Sequence, residues 1–192
     1  NITRVGHLGV DEDYIWNIIN YGTYPFLSWE EGRNSLFGLT DCGELNVENG
    51  VYTLMNNVTT NGTCFNITAE NVTLDGKGYL INYSTSETGY GVVSEGYNNI
   101  SIVNVSILLG NDAMTYSYGI NLKNSNYSRI ERVEINITGP VSGYNRLVNL
   151  EDMWNISVRD NVLNSFLDAG SSTYSGGIYG TNIYNSLIHN NS

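Results

Sequence analysis

The sequence predicts an all-β fold, a parallel β-helix whose coils are about 28 residues long. The main observation is a repeat: NNISIVNVSI at residues 98–107 returns as NYSRIERVEI at 126–135 and as WNISVRDNVL at 154–163. A clipped fourth copy, IYNSLIHNNS, occupies residues 183–192, so the copies begin at Asn98, Asn126, Trp154 and Ile183. A nearly fixed period of this kind is typical of a solenoid, in which each repeat forms one coil and stacks on the next.

The amino-acid composition favours strands and turns over long helices. Charged residues make up only 14% of the 192 residues, and the chain takes its polarity from 29 Asn, 21 Gly and 15 Tyr together with Ser and Thr. Leucine-rich repeats have similar periods, but they need a leucine framework and a helical convex side. Neither is visible in these copies, so the parallel β-helix is the preferred interpretation.

Alignment of the copies on their first apolar position produces columns of side chains, with one residue from each coil. The predicted core column of the solenoid consists of Leu74, Ile102, Ile130, Val158 and Leu187. A second column consists of Val105, Val133, Asn161 and Asn190, and a third of Ile107, Ile135, Leu163 and Ser192. Stacked Asn amides can pair with one another along a solenoid, which removes the cost of burying them.

Residues 1–41 do not share the repeat, so the predicted domains are an N-terminal aromatic-rich β segment or cap at 1–41 and a β-helix at 42–192. The segment contains the pattern W-x-I-x(5)-YPFLxW, which supplies Trp16, Tyr24, Phe26 and Trp29. This pattern resembles the closing segment of the short GLUG-type β-repeats of large bacterial and archaeal surface adhesins. Such rings can cover the open end of a β-helix, and a carbohydrate-stacking platform is the functional alternative.

The first coils carry a second resemblance. Cys42 is followed by GVYTLMNNV and then by GTCFNITAENVTLDGKG, with turn sequences at Asn61-Gly62 and Asp75-Gly76. These motifs resemble the entry coil of NosD-like (PbH1-type) proteins, which are right-handed parallel β-helices abundant among archaeal surface proteins. The resemblance implies a right-handed solenoid in which Cys42 and Cys64 lie on adjacent coils and form a disulfide. Closing that loop stabilises a fold by roughly 3 kcal/mol.

Charge and hydropathy exclude two classes of partner. The formal net charge is −11, from 19 acidic and 8 basic residues, and it repels nucleic acid and anionic membrane surfaces. No apolar run approaches the length of about 18 residues that a membrane-spanning helix needs. We therefore predict no nucleic-acid partner and no membrane span.

Sequons favour an extracellular, cell-surface location. Asn-X-Ser/Thr triplets are more than twice as frequent as this composition produces by chance, so N-linked glycans are expected and no other cofactor. The predicted glycosylation sites are Asn1, Asn57, Asn61, Asn66, Asn71, Asn82, Asn99, Asn104, Asn126, Asn136, Asn155 and Asn190. A disulfide fits the same oxidising compartment.

Tyrosines populate the strand edges and the loops between copies. We expect most of them to be half-buried packing residues, and an exposed stripe for sugar stacking or subunit contact is the alternative. They are Tyr90, Tyr97, Tyr116, Tyr118, Tyr127, Tyr144, Tyr174, Tyr179 and Tyr184.

No catalytic and no metal-binding residue is predicted. Hydrolases of this fold need two carboxylates that converge within about 5–10 Å, and lyases need a base near acidic calcium ligands. The candidates are Glu131, Glu134, Glu151, Asp152, Arg159 and Asp160. At a spacing of one coil Glu131 stacks over Arg159, and Arg132 stacks over Asp160, which is typical of surface ladder pairs. His7 and His189 lie far apart in the chain, so a zinc site is not supported.

The last copy of the repeat leads to the functional hypothesis. Leu187, Asn190 and Ser192 end the three columns without a polar capping coil, and we predict that they form an assembly end. The chain is then either part of a longer repeat protein or a subunit that packs head to tail on copies of itself. The predicted function is a structural, glycosylated β-solenoid of an extracellular filament, sheath, surface layer or adhesin. The alternative is a β-helix that binds or cleaves polysaccharide.

Overall fold

The computed structural model describes residues 16–17, 26–27, 36–111, 116–137, 144–165 and 176–192. The chain divides into two compact units, Asn1–Arg33 and Asn34–Ser192. In the first unit, strand β1 (Trp16–Asn17) pairs antiparallel with β2 (Phe26–Leu27). The predicted aromatic plug and the sequon at Asn1 lie outside the residues whose side chains the structure describes.

The second unit is a solenoid of about four coils, and its chain passes through three parallel sheets. Sheet 1 consists of β4 (Gly43–Leu45), β7 (Phe65–Ile67), β10 (Tyr90–Glu95), β13 (Tyr118–Lys123), β16 (Arg146–Trp154) and β19 (Gly176–Tyr184). Sheet 2 consists of β3 (Leu36–Leu39), β5 (Val51–Leu54), β8 (Thr73–Asp75), β11 (Ser101–Val103), β14 (Arg129–Glu131), β17 (Ser157–Arg159) and β20 (Leu187–His189). Sheet 3 consists of β6 (Val58–Thr59), β9 (Leu80–Tyr83), β12 (Ser106–Leu109), β15 (Glu134–Ile137) and β18 (Val162–Ser165).

The predicted all-β parallel solenoid is confirmed. Neighbouring strands in each sheet belong to successive coils about 28 residues apart, and the described residues contain no helix. The part of the chain that the structure describes accordingly offers no helix with the length and hydropathy to cross a bilayer. Because β3 pairs with β5 in sheet 2, residues 36–41, which the sequence assigned to the N-terminal segment, belong to the solenoid unit.

Aliphatic side chains fill the inside of the solenoid. In sheet 2, Ile102 pairs with Leu74 on one side and with Ile130 on the other, and Val158 continues this column in the next coil. All four side chains are buried. Each coil therefore removes its apolar face from water against the equivalent residues of its neighbours, and stability accumulates interface by interface.

The fifth member of the predicted core column is wrong. Leu187 lies beside Ser157 with 54% of its surface exposed, whereas Ile188 pairs with Val158 and takes the column position. The last coil is therefore one position longer at this point than the alignment of the copies assumes. Its corner residue with a left-handed backbone is Asn185, the equivalent of Asn155 in the preceding coil, whereas the alignment places that corner at Tyr184.

The same displacement moves the other two predicted columns. Asn161 contacts Asn191 and not Asn190, because its Nδ2 donates to Asn191 Oδ1 at 2.9 Å. Ser192 N donates to Asn161 O at 3.0 Å, which places Ser192 one position away from its predicted column. Leu187 and Ile188 are both apolar, so the sequence allows either of them in the core column. The backbone hydrogen bonds between the last two coils show that Ile188 takes this position.

The predicted disulfide is confirmed. Cys42 and Cys64 are bonded, with their Cα atoms 4.7 Å apart, and Cys64 is buried in the core. Each cysteine immediately precedes a strand of sheet 1, and these strands, β4 and β7, pair with each other. The disulfide therefore links two neighbouring coils.

Most residues with a left-handed backbone lie between strands, at the corners of the coils. Sixteen described non-glycine residues have a positive φ, and nine of them are Asn. Asn enters this region more readily than other non-glycine residues because its short polar side chain bonds locally. At the corner between sheets 1 and 2, the equivalent positions are Asn71, Asn99, Tyr127, Asn155 and Asn185. The left-handed backbone thus gives a physical reason for these nine of the 29 Asn residues.

Candidate functional site

An open groove of about 500 Å³ lies at the corner between sheets 1 and 2. Three successive coils contribute its lining residues, which are Asn126, Tyr127, Asp152, Met153, Trp154, Asn182 and Tyr184. Its volume lies within the range of small-molecule sites, about 300–1,000 Å³. We call this feature the corner groove.

A ladder of hydrogen bonds from backbone to side chain leads along the corner to the groove. Asn98 N donates to Glu70 Oε2 at 2.7 Å, and Asn126 N donates to Asn98 Oδ1 at 2.8 Å. Trp154 N then donates to Asn126 Oδ1 at 2.7 Å. Each bond joins one coil to the next. The ladder ends at Trp154 because an indole ring has no acceptor oxygen to offer to the following coil.

Three aromatic side chains are exposed around the groove. Trp154 and Tyr184 pair with each other at the ends of β16 and β19, and they are 47% and 57% exposed. Tyr127, from the coil before Trp154, is 58% exposed, and its N donates to Trp154 O at 2.9 Å. Neighbouring parallel strands lie about 4.8 Å apart, so Trp154 and Tyr184 lie on adjacent rungs, and Tyr127 lies one position further along the chain at the corner. They present apolar surface with polar edges to solvent.

The polar atoms of the groove are partly engaged. Asn182 Nδ2 donates to Asp152 Oδ1 at 2.7 Å, and Asn126 Oδ1 is held by Trp154 N. Asn126 Nδ2, by contrast, makes no hydrogen bond to any residue that the structure describes. The groove therefore combines three exposed aromatic side chains with an amide nitrogen that makes no hydrogen bond to a described residue.

A second group of tyrosines lies on the outer face of sheet 1. The rings of Tyr90 and Tyr118 are 5.7 Å apart, and the Arg146 guanidinium lies 3.5 Å from the ring centre of Tyr179 and 5.4 Å from that of Tyr118. Burial raises the pKa of the Tyr118 hydroxyl, and the positive charge of Arg146 opposes that rise. Asn149 contacts Arg146 and continues this polar and aromatic surface. We call it the tyrosine face.

The predicted charge pairs between coils are present for Glu131 and absent for Arg132. Glu131 is only 4% exposed, and its carboxylate contacts both Arg132 and, at 3.0 Å, Arg159. Arg132 Nε donates to Asn104 Oδ1 at 2.8 Å, and Asp160 lies 3.5 Å from Arg159. The prediction of an Arg132–Asp160 pair is wrong, because Arg132 reaches back along the corner toward the preceding coil.

The remaining candidate polar residues are dispersed. Glu151 accepts from Asn149 Nδ2 at 3.1 Å on the tyrosine face, and Glu134 accepts from Asn136 Nδ2 at 3.0 Å on sheet 3. Asp152 lines the corner groove, and His189 is exposed on β20. Among the described residues, no group of three or more His, Cys, Asp and Glu side chains is arranged to hold a metal ion.

The sequons of the described residues fall into two groups. In the first, the nitrogen Nδ2 already donates a hydrogen bond to a neighbouring side chain, and its members are Asn99, Asn104, Asn136 and Asn190. In the second, Nδ2 makes no hydrogen bond to a described residue, and its members are Asn57, Asn61, Asn66, Asn71, Asn82, Asn126 and Asn155. In an N-linked glycan the sugar is attached through this nitrogen, so a glycan would replace an existing hydrogen bond in the first group and none among the described residues in the second.

No family model, curated protein or solved structure matches this chain. The resemblances to NosD-like proteins and to GLUG-type repeats therefore stay predictions, and the fold rests on the parallel β-solenoid itself. Sequence reasoning did not identify the corner groove. The sequence feature that could have indicated the groove is Trp154, because this large aromatic residue lies at a repeat position that Asn98 and Asn126 occupy in the earlier copies.

Proposed function

We propose that this protein is a structural building block of an extracellular assembly, a glycosylated β-solenoid that acts mechanically and not as an enzyme. The observation that carries the proposal is the unbroken pairing of successive coils in all three sheets around one aliphatic core. Stacked coils of this kind resist extension because adjacent coils are hydrogen-bonded to each other through their backbones.

The disulfide and the sequons support an extracellular location. A disulfide such as Cys42–Cys64 persists in oxidising compartments and is rare in the cytosol. Sequons such as Asn66 and Asn71 are exposed on the outside of the coils. A sugar coat there protects a surface protein from proteases without disturbing the core.

The charged residues favour a structural role over catalysis. The Glu131 carboxylate is held by two guanidinium groups, and Asp75 is held by Lys77 Nζ at 2.7 Å and by Asn104. A general base needs a proton-accepting atom directed at a substrate and a general acid needs a proton-donating one, whereas these carboxylates are occupied by neighbours within the coils.

We further propose head-to-tail association of copies. Strands β18, β19 and β20 are edge strands among the described residues, and Leu187 and Ile188 are about half exposed on that coil. Unpaired strand edges pair readily with a further coil, whether it belongs to the same chain or to another copy. Leu187, Asn190 and Ser192 would belong to this interface, and a heterologous contact of this kind propagates as a filament.

Microscopy of the native material together with its intact mass tests the proposal. We expect elongated particles made of repeating units, each heavier than its own polypeptide by whole sugar residues. Ile188→Lys, which places a charge in the core column, should shorten or abolish the particles. Tyr79→Lys is the control, because Tyr79 is exposed and immediately precedes β9, a strand that is paired on both sides and lies away from the proposed interface. Monodisperse, unglycosylated monomers would refute the proposal.

Polysaccharide binding is the second candidate function, and the tyrosine face favours it. On this face the Arg146 guanidinium stacks on the rings of Tyr118 and Tyr179. Two paired amides lie beside this group, where Asn149 Nδ2 donates to Asn121 Oδ1 at 2.7 Å. Flat aromatic surface beside amide groups suits sugar rings with their hydroxyl rims. Retarded migration in gels that contain neutral polysaccharide, abolished by Tyr179→Ala, would support this function over a purely mechanical one.

A further inference from the structure

We propose that Asn126 carries an N-linked glycan whose first sugar ring lies in the corner groove against Trp154. The inference rests on the proposed glycosylation and assigns it to one site with one geometry. Asn126, Tyr127 and Ser128 form a sequon, and Asn126 itself lines the groove. The occupant of the groove is therefore a sugar belonging to this chain.

The amide of Asn126 is oriented for this modification. Its Oδ1 accepts from Trp154 N at 2.7 Å, and its backbone N and O are bonded to Asn98 Oδ1 and Asn99 N, both at 2.8 Å. These bonds fix both the backbone and the side-chain oxygen. The nitrogen Nδ2 makes no hydrogen bond to a described residue. Attachment of a sugar to Nδ2 therefore breaks no hydrogen bond among the described residues.

The chemistry requires only an activated sugar. In the transfer, a bond forms between Nδ2 and the anomeric carbon of a sugar carried on a lipid phosphate or pyrophosphate. The bond from that carbon to the phosphate oxygen breaks, the phosphate leaves with the electron pair, and Nδ2 loses one proton. The amide remains neutral, and its oxygen keeps the hydrogen bond from Trp154 N.

The groove has the shape and chemistry for a pyranose ring. The apolar face of a sugar packs on aromatic rings, and Trp154, Tyr127 and Tyr184 are all about half exposed around the attachment point. Asp152 and Asn182 line the same groove and retain acceptor positions for sugar hydroxyls beyond their mutual bond. The net charge of −11 favours a neutral sugar over an acidic one.

No other sequon asparagine among the described residues lines the corner groove. Asn104 uses both ends of its amide, because Nδ2 donates to Asp75 and Oδ1 accepts from Arg132. Asn66 is exposed on β7 and makes no hydrogen bond through its side chain to a described residue, but its neighbours in the sheet are Glu44 and Val93. Asn66 is thus a matched control that offers a sequon without an aromatic groove.

The first test is site-resolved mass spectrometry of glycopeptides from the native protein. We expect Asn126 to be occupied and Asn104 to be unoccupied. If no sequon carries a glycan, the proposed glycosylation itself fails. If other sequons are occupied and Asn126 is not, this inference alone is overturned.

The second test asks whether the sugar contacts Trp154. Enzymatic removal of glycans should lower the Tm of the wild type and of Asn66→Gln by about 2–4 °C, and that of Trp154→Ala by clearly less. An equal fall in all three proteins would overturn the groove assignment. If Trp154→Ala does not fold, the test uses the wild type alone and compares acrylamide quenching of its tryptophan fluorescence before and after glycan removal. Glycan removal should increase the quenching of tryptophan fluorescence, and unchanged quenching would overturn the assignment.

Discussion

The disulfide between Cys42 and Cys64 should stabilise the first coils strongly and locally. The bond closes a loop with a sequence separation of 22 residues. Loop-closure entropy in the unfolded chain is then about 11 cal/mol/K, which corresponds to about 3 kcal/mol at 25 °C. A typical domain is stable by about 5–15 kcal/mol, so this single bond is a large share of the total.

The perturbation is the double substitution Cys42→Ala and Cys64→Ala, compared with the wild type by thermal unfolding. We expect the Tm to fall by about 6–12 °C, since 1 kcal/mol corresponds to about 2–4 °C in a chain of this size. A reducing agent should lower the Tm of the wild type by a similar amount and should leave the Tm of the double variant unchanged. The double variant, which has no disulfide, is therefore the control for other effects of the reducing agent.

Hydrogen exchange locates the effect. The stability of a solenoid is approximately a sum over the interfaces of its coils, so amide protection should fall first in β4 and β7, which the disulfide joins. Amides of β14 and β17, two or more coils away, should change little. An unchanged Tm, or an equal loss of protection in β14 and β17, would refute this reasoning.

Three further predictions concern packing and charge. Gly119→Ala should lower the free energy of unfolding, measured with urea, by about 2–4 kcal/mol, because the new Cβ would lie 2.6 Å from a backbone oxygen of the next coil. Gly43→Ala is the control and should leave that free energy nearly unchanged, because no atom lies within 4 Å of its new Cβ. Equal losses of stability in the Gly119→Ala and Gly43→Ala variants would contradict this packing argument. Asn161→Leu should cost about 1–3 kcal/mol, because a buried backbone N–H of the preceding coil loses its acceptor, and an unchanged urea midpoint would contradict this. Burial raises the pKa of Asp75, but hydrogen bonds led by that from Lys77 outweigh it, so the net pKa is lowered. Its contribution is therefore present above the unfolded pKa of about 3.9 and is lost as the pH falls through the lower folded value. Asp75→Asn should flatten the acid side of the stability–pH profile, and profiles of equal steepness would exclude this role.

The period and the core were predictable because a solenoid repeats its three-dimensional contacts at a fixed spacing in sequence. Ile102 meets Leu74 and Ile130 simply because each is one coil away, so a column in an alignment is also a column in space. The disulfide followed from a resemblance in the entry coil, and the structure bears it out.

The register of the last coil was not predictable in the same way. Leu187 and Ile188 are both aliphatic, so the apolar pattern fits either residue in the core column. The choice depends on where the backbone turns, and the left-handed corner at Asn185 moves the turn by one position. Corner conformation is a local backbone property to which an alignment of apolar positions is blind.

The sequence by itself determined the parallel coils, their length, most of the core column and the inventory of sequons and cysteines. The tertiary structure alone decided the corner groove, because Trp154 and Tyr184 belong to different coils and become neighbours only when those coils stack. It also decided which sequon nitrogens are engaged, since that depends on the side chain of the adjoining coil. Stacking repeats the backbone at every coil, but each corner presents its own side chains, and their contacts emerge only in three dimensions.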